Sequence, residues 1–211
     1  MAVRRVLPIE TVPLVGGALC LNFVNTTGAR DLSQPRERLK RYRDVLTFCS
    51  RTGLMQSARL RALSRVCERN PRAARRALAH LIAVREVLYR IFVAVVKRAT
   101  PGAADLAAFN AELAAAKRLR QLTLTRGVPR WSWAGQPDDL EQMLGPILLS
   151  AAELLGSPQL ASLKQCGACV WLFLDSTRNH SRRWCKNLCG DRVKSRRYYQ
   201  RHKGKARSSP S

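Results

Sequence analysis

Residues 166–192 read CGACVWLFLDSTRNHSRRWCKNLCGDR. They contain two cysteine pairs, Cys166-x2-Cys169 and Cys185-x3-Cys189, separated by fifteen residues. A close pair of thiols on each side of a hairpin-length stretch is the arrangement a tetrahedral structural zinc ion needs. Two disulfides are the alternative, but nothing in the chain points to export, and neighbouring pairs make poor long-range staples. Cys166, Cys169, Cys185 and Cys189 are therefore read as ligands of one structural Zn2+. His180 and His202 are spare donors that a completed cysteine set does not need. Four protein ligands leave no open position for water, which argues against a catalytic metal.

The residues between the ligands supply the rest of the module. Gly167 suits a tight knuckle whose amide N–H groups turn toward the sulfurs. The apolar run 170–174 reads as a strand, the polar cluster 175–179 as its turn, and 182–184 as the partner strand. Cys185 and Cys189, four apart, share one face of an incipient helix that continues past Gly190 to about residue 203. Phe173 and Trp184 are expected in a mini-core. Trp171 is expected either there or stacked on a nucleic-acid base. So small a module draws much of its folding free energy from the metal, on the order of 10 kcal/mol apparent.

Charge gives this metal site a partner. The chain has 38 Lys and Arg against 14 Asp and Glu, a net +24. From Lys164 onward 13 Lys and Arg face only Asp175 and Asp191, so +11 falls in the last 48 residues. That is about three times the charge density of the rest, which is clustering rather than a uniform arginine bias. Such a field concentrates polyanions, and DNA or RNA is the first candidate. The residues expected to meet phosphates are Arg178, Arg182, Arg183, Lys186, Arg192, Lys194, Arg196, Arg197, Arg201 and Lys203, with Tyr198 and Tyr199 among them. A merely solvated basic helix is the plain alternative.

Toward the N-terminus the patterns are mostly helical. A helix is expected from Asp138 and Asp139 through residue 155, with Gly156-Ser157-Pro158 as its exit. Alternation at Leu122/Leu124 and Trp131/Trp133 around Gly127 predicts a hairpin whose tryptophans cover the core. An Ala-rich helix spans 104–118. The strongest helical signal starts at Asn70 and Pro71 and repeats Leu78, Leu81, Val84, Leu88, Ile91 and Val95. Arg85, Glu86 and Arg90 on it are expected to be structural, and His80 is given no role. Further helices are expected over 57–68 and from an entrance at Ser33–Glu37 to Gly53. The run 14–26, LVGGALCLNFVNT, reads as a strand.

The fold class that results is α+β. A mostly helical N-terminal domain with a small β-sheet (1–160) precedes a C-terminal zinc-ribbon or treble-clef-like finger (161–203) and a disordered tail (204–211). Cys20, Cys49 and Cys67 lie on apolar faces as buried small hydrophobes. No uninterrupted apolar run is long enough for a membrane span. The start only weakly imitates a signal peptide, since Glu10, Pro8 and Pro13 interrupt it. A cytoplasmic protein with reduced thiols is expected.

Residues 166–192 closely resemble the CGNR zinc finger, in the Trp171–Asp175 run, Arg178-Asn179, Ser181–Cys185 and Cys189-Gly190-Asp191-Arg192. Asp191 stands where that finger's name-giving run has Asn. The N-terminal part is similar to the ABATE-type domain that precedes this finger, in Gly16-Gly17 and Leu21-x-Phe23-Val24-Asn25-Thr26, with Asn22 where Asp is more usual. The resemblance implies a bacterial, stress-related transcription regulator or nucleic-acid binder. It assigns no chemistry to the N-terminal domain, for which a small-molecule effector is one expectation. Together these features point to a non-enzymatic, zinc-stabilised nucleic-acid-binding protein. The alternative is an interaction adaptor whose finger docks on an acidic protein. No nucleophile–base pair, paired carboxylates or open metal site supports an enzyme.

Overall fold

The computed structural model describes residues 7–205. Its axis is α4 (Pro71–Val96), where the sequence gives both a start and a stripe. Asn70 accepts the Ala73 amide at 3.0 Å, Pro71 takes the first helical position, and Leu81, Val84, Leu88, Ile91 and Phe92 are buried. This is the N-cap and Pro-first pattern that satisfies or removes orphan amides. Around α4 pack α2 (Tyr42–Arg51), α3 (Ser57–Arg69) and α5 (Ala103–Arg118), and α6 (Leu144–Leu155) packs on α5. No helix among the described residues is long and apolar enough to cross a membrane.

Residues 14–26 do not form the expected strand. Leu19–Val24 make a short helix, α1, lodged against α4 and α6 with Cys20, Leu21, Phe23 and Val24 all buried. A short run that is apolar but for Asn22 fits a buried helix as well as a strand, so its periodicity does not decide between them. The helix entrance at Ser33 is also corrected. Residues Arg36–Glu37 form β2, paired antiparallel with β1 (Thr27–Gly28). The next helix, α2, starts at Tyr42, where Asp44 accepts the amides of Lys40 and Arg41 at 2.7 and 2.8 Å. Likewise α6 opens at Leu144 rather than at Asp138, because Asp139 folds back onto the Glu141 amide in a turn.

The expected hairpin is present as β3 (Arg120–Thr125) and β4 (Val128–Trp133), with Leu122 opposite Trp131 and Arg120 opposite Trp133. Both tryptophans share one face, but only Trp133 reaches the body, where it packs on Gly145 so tightly that a Cβ there would sit 2.6 Å away. Trp131 is 65% exposed, because the ribbon extends past the helices that would cover it. The third ribbon is β5 (Leu163–Gln165) with β6 (Leu172–Leu174), Leu163 opposite Leu174. Residues 182–184 are therefore not the strand partner of 170–174; they touch the knuckle through one bond, Gly167 N–H to the Arg183 carbonyl at 3.2 Å. The strand β6 already has β5 on one side and the Asn25 side chain on the other.

That last contact joins the finger to the body. Asn25 accepts the Leu172 amide at 3.0 Å and donates to its carbonyl at 2.7 Å, imitating a backbone partner. The Leu174 amide donates to the Gly16 carbonyl, and the Trp171 indole N–H to the Thr27 carbonyl at 2.9 Å. Trp171, Leu172, Phe173 and Leu174 are buried in one continuous core with α1. The expected separate mini-core is thus part of the body's core, and Trp171 is not available to stack on a base. Trp184 is only half-buried.

Beneath this junction lies a partly buried ionic network, its arginine side chains covered and its two carboxylates half-buried. The Arg85 guanidinium donates twice to Glu37 (2.8 and 2.6 Å), once to Glu86 (2.8 Å) and once to the Thr26 hydroxyl (3.1 Å). Arg30 grips Glu86 with two bonds of 3.0 Å and lies 4.0 Å over the Tyr89 ring. Burial pushes the Glu37 carboxyl up, but the hydrogen bonds and charge of Arg85 outweigh it and hold Glu37 below the usual range. The structural role expected for Arg85 and Glu86 is this one.

Candidate metal centre and basic surface

Two turns bring the four sulfurs together. Between β5 and β6 the knuckle closes through Val170 N–H to the Cys166 carbonyl (3.0 Å) and Cys166 N–H to the Trp171 carbonyl (2.8 Å). It places Val170 at φ 55°, a left-handed conformation a β-branched residue rarely adopts. On the other side, Cys185 precedes α7 (Asn187–Lys205), and Cys189 lies in its first turn. All four sulfurs are within 4.8 Å of one another. Cys169 and Cys185 are 3.6 Å apart, Cys185 and Cys189 3.7 Å, Cys189 and Cys169 3.8 Å.

Those separations identify the chemistry. A zinc–thiolate bond of about 2.3 Å gives a tetrahedron whose edges are about 3.8 Å, whereas a disulfide needs sulfurs about 2.05 Å apart. The quartet holds one structural zinc ion, with Cys166, Cys169, Cys185 and Cys189 as its ligands. Contact with Cys166, then with Cys169 and Cys189, pushes the Cys185 thiol above its ordinary value when no cation is present. A dication reverses that, since it stabilises the thiolates that crowd it. The knuckle assists through amides: Trp171 N–H points at the Cys169 sulfur and Cys185 N–H at that of Cys166. His180 and His202 are spent elsewhere, bonded to the carbonyls of Asp175 and Tyr198 at 2.9 Å each.

The segment between the pairs is held by Asp175, a role its place in a polar turn did not single out. Its carboxylate accepts from Thr177 (amide 3.0 Å, hydroxyl 2.7 Å), the Arg182 amide (2.8 Å) and the Lys164 ammonium (2.8 Å). Lys164 also donates to the carbonyls of His180 and Arg182. Burial raises the Asp175 pKa, but Lys164, Thr177 and Arg182 outweigh it and hold the carboxyl below the usual range. Asp175 thereby fixes residues 175–182, which deliver Cys185 to the metal.

The ten basic residues singled out from the sequence fall into three groups. Arg178, Arg183, Lys194, Arg197 and Arg201 are exposed, the last three at helical spacing along one side of α7. Arg182, Lys186 and Arg192 are half-buried; Arg182 donates to the Cys185 carbonyl at 2.7 Å and lies over Phe173, and Lys186 lies 5.8 Å from the Trp171 ring. The side chains of Arg196 and Lys203 lie outside the described residues, as do residues 206–211 of the expected tail; residues 204 and 205 close α7. Asp191 is exposed and is the last acidic residue of the chain. No ion pair involves α7 among the described residues. Arg36 and Arg38, which also face the finger across a cleft, were hidden in the stretch read as a helix entrance.

Comparison with known families agrees with both halves. A family model named ABATE, described as "Putative stress-induced transcription regulator", matches residues 17–158. The CGNR zinc finger model matches residues 162–202. Among curated proteins none matches the chain.

Proposed function

The chain belongs to the ABATE family and carries a CGNR zinc finger, and from that premise we propose a cytoplasmic, non-enzymatic transcription regulator that binds nucleic acid through the finger. The observation that carries this is the placement of α7. Its first turn supplies a zinc ligand, and its remaining length presents Lys194, Arg197 and Arg201 to solvent without a carboxylate partner among the described residues. A cationic helix with no protein charge to meet suits a phosphate backbone, and the metal sets its direction relative to the body.

Arg178 and Arg183, exposed on the loop that Asp175 fixes, extend the same basic surface beyond the helix. About six phosphate contacts would give a log–log salt slope near −5. The test is binding of the zinc-loaded full chain to duplex DNA and to RNA across a salt series, before and after chelation. A steep negative slope and loss of binding on chelation support the proposal; tight binding that ignores salt would refute it. The adaptor reading gains one observation, the exposed aromatic pair Tyr198 and Tyr199 on α7, at 55% and 69%. Capture of a protein partner that survives nuclease treatment would favour it.

A further inference from the structure

We propose that the cleft between the β1–β2 ribbon and the finger binds the phosphate group of a small phosphorylated molecule. The cleft is a cavity of about 210 Å3. Arg36 and Arg38 enter it from the N-terminal domain, Lys186 and Arg192 from the finger, and Trp171 lines it between them. Asp31, the single acid on its wall, is exposed at the rim.

Arg38 is the first reason to place an anion there. Two arginines are buried among the described residues, Arg38 and Arg85. Arg85 has Glu37 and Glu86. Among the described residues the Arg38 guanidinium donates only to backbone carbonyls, those of Leu7 (3.1 Å), Thr26 (3.3 Å) and Arg36 (3.3 Å), and is in no ion pair. Its neighbour Glu37 is turned to the far side, toward Arg85. A buried cation whose nearest carboxylate is engaged by a second arginine is under-compensated, and a further anion beside it is favoured. Residues 1–6 and 206–211 contain no Asp or Glu that could supply one.

The second reason is the crowding of like charge. Arg38 lies 5.1 Å and Lys186 5.8 Å from the same Trp171 ring, so two cations share one aromatic wall in a partly desolvated setting. The zinc centre does not absorb the surplus: four thiolates around Zn2+ carry −2 and Asp31 −1, against +4 from the two arginines of the ribbon, Lys186 and Arg192. Gly28 keeps the wall open, since a Cβ there would press within 3.2–3.3 Å of both Arg38 Nη atoms and 3.3 Å of the Trp171 indole nitrogen. Cations converging from two sides match a phosphate monoester, which offers close to two negative charges and three acceptor oxygens. Leu7 and Leu32 line the remainder and fit the uncharged part of such a molecule. Because the cations come from both parts of the chain, the ligand would tie the finger to the body. This inference rests on the zinc-organised finger and not on nucleic-acid binding.

The experiment is calorimetric titration of the zinc-loaded full chain with inorganic phosphate and with glycerol phosphate, at constant ionic strength set by chloride. Arg36→Gln is the informative variant, because the Arg36 guanidinium makes no hydrogen bond among the described residues and its loss should leave the fold intact. Arg197→Gln removes the same charge outside the cleft. The expected result is saturable binding by the native chain and Arg197→Gln, weakened about tenfold or more in Arg36→Gln. Absence of saturable binding, or equal weakening by both variants, overturns the proposal. A duplex-DNA titration of the same proteins separates the two sources of phosphate. Unchanged DNA affinity in Arg36→Gln supports a small ligand, and a parallel loss of DNA affinity assigns the cleft to a backbone phosphate and overturns it. A native chain that binds phosphate but no nucleic acid would retire the regulator proposal and leave this one standing.

Discussion

Cys49 and Cys189 are both fully buried thiols, yet they belong to regions held together by different forces. In the helical body, burial in an apolar setting pushes Cys49 up to about 12 and Cys20 up to about 11, so both stay protonated and act as small hydrophobes. In the finger, Cys189 meets three other sulfurs at distances only a metal ion rationalises. The arginines divide in the same way: Arg85 is spent on two carboxylates in the interior, while Arg197 faces solvent with no partner among the described residues. The body stabilises itself by burial and internal ion pairing. The finger borrows its order from an ion and from the β6 seam, and the described cations of α7 have no carboxylate partner among the described residues.

The sharpest way to break this contrast is to remove a ligand. Cys189→Ser should abolish stoichiometric zinc and melt α7, a loss on the order of 10 kcal/mol of metal-linked folding free energy. The body should keep its helical circular dichroism and a cooperative transition. Cys49→Ala should bind zinc normally. If Cys189→Ser retained zinc and its full helix content, the two regions would not differ as described.

Next in size is the body's own network. Arg85→Met leaves the half-buried Glu37 without its ion-pair partner and should cost about 1–3 kcal/mol in denaturant unfolding, with zinc content unchanged in whatever fraction folds. Acid should separate the regions too. Glu37 and Glu86 are both held below their ordinary values, so their stabilisation is fully present above the unfolded carboxyl value of about 4.3 and is lost as pH falls through the folded values. Thiolates reprotonate at higher pH than that once the metal is in exchange. Zinc release followed by a chromogenic chelator should therefore precede unfolding of the body as pH is lowered.

Smaller effects probe the surface. Arg197→Gln should leave the melting temperature unchanged and lower the magnitude of the salt slope for DNA binding by about one. The least effect is expected at His80, whose ring nitrogens meet Glu112 at 2.9 Å and Glu141 at 3.0 Å, linking α4, α5 and the approach to α6. Partial burial opposes its charge, but the two carboxylates prevail and raise its pKa. Its contribution is present below about pH 6.5 and fades as pH rises through the raised value. His80→Gln should flatten that slope in thermal melts of the body and leave zinc binding untouched.

The metal site was legible because its chemistry is local: four cysteines at fixed spacings already specify a ligand set. The helix α4 was legible because its apolar positions recur over many turns, and α5 because its run is Ala-rich. What stayed hidden depends on partners distant in sequence. Residues 19–24 are apolar but for Asn22 and too short to declare a period, so only their burial between α4 and α6 makes them a helix. The strand partner of β6 is β5 because Asn25 and Asp175 claim the groups that residues 182–184 would have needed. Trp131 has the alternation of a core residue, but sequence does not show how far a ribbon overshoots the body. Charged residues such as Arg36, Glu37 and Arg38 carry no periodicity that tells Glu37 to face Arg85 while Arg38 faces the cleft.

Zinc-edge X-ray absorption on the purified full chain tests the central claim most directly. One zinc per chain with four sulfur neighbours at about 2.3 Å is the predicted result. A chain purified without stoichiometric zinc, or a shell containing nitrogen or oxygen in place of a sulfur, would contradict it.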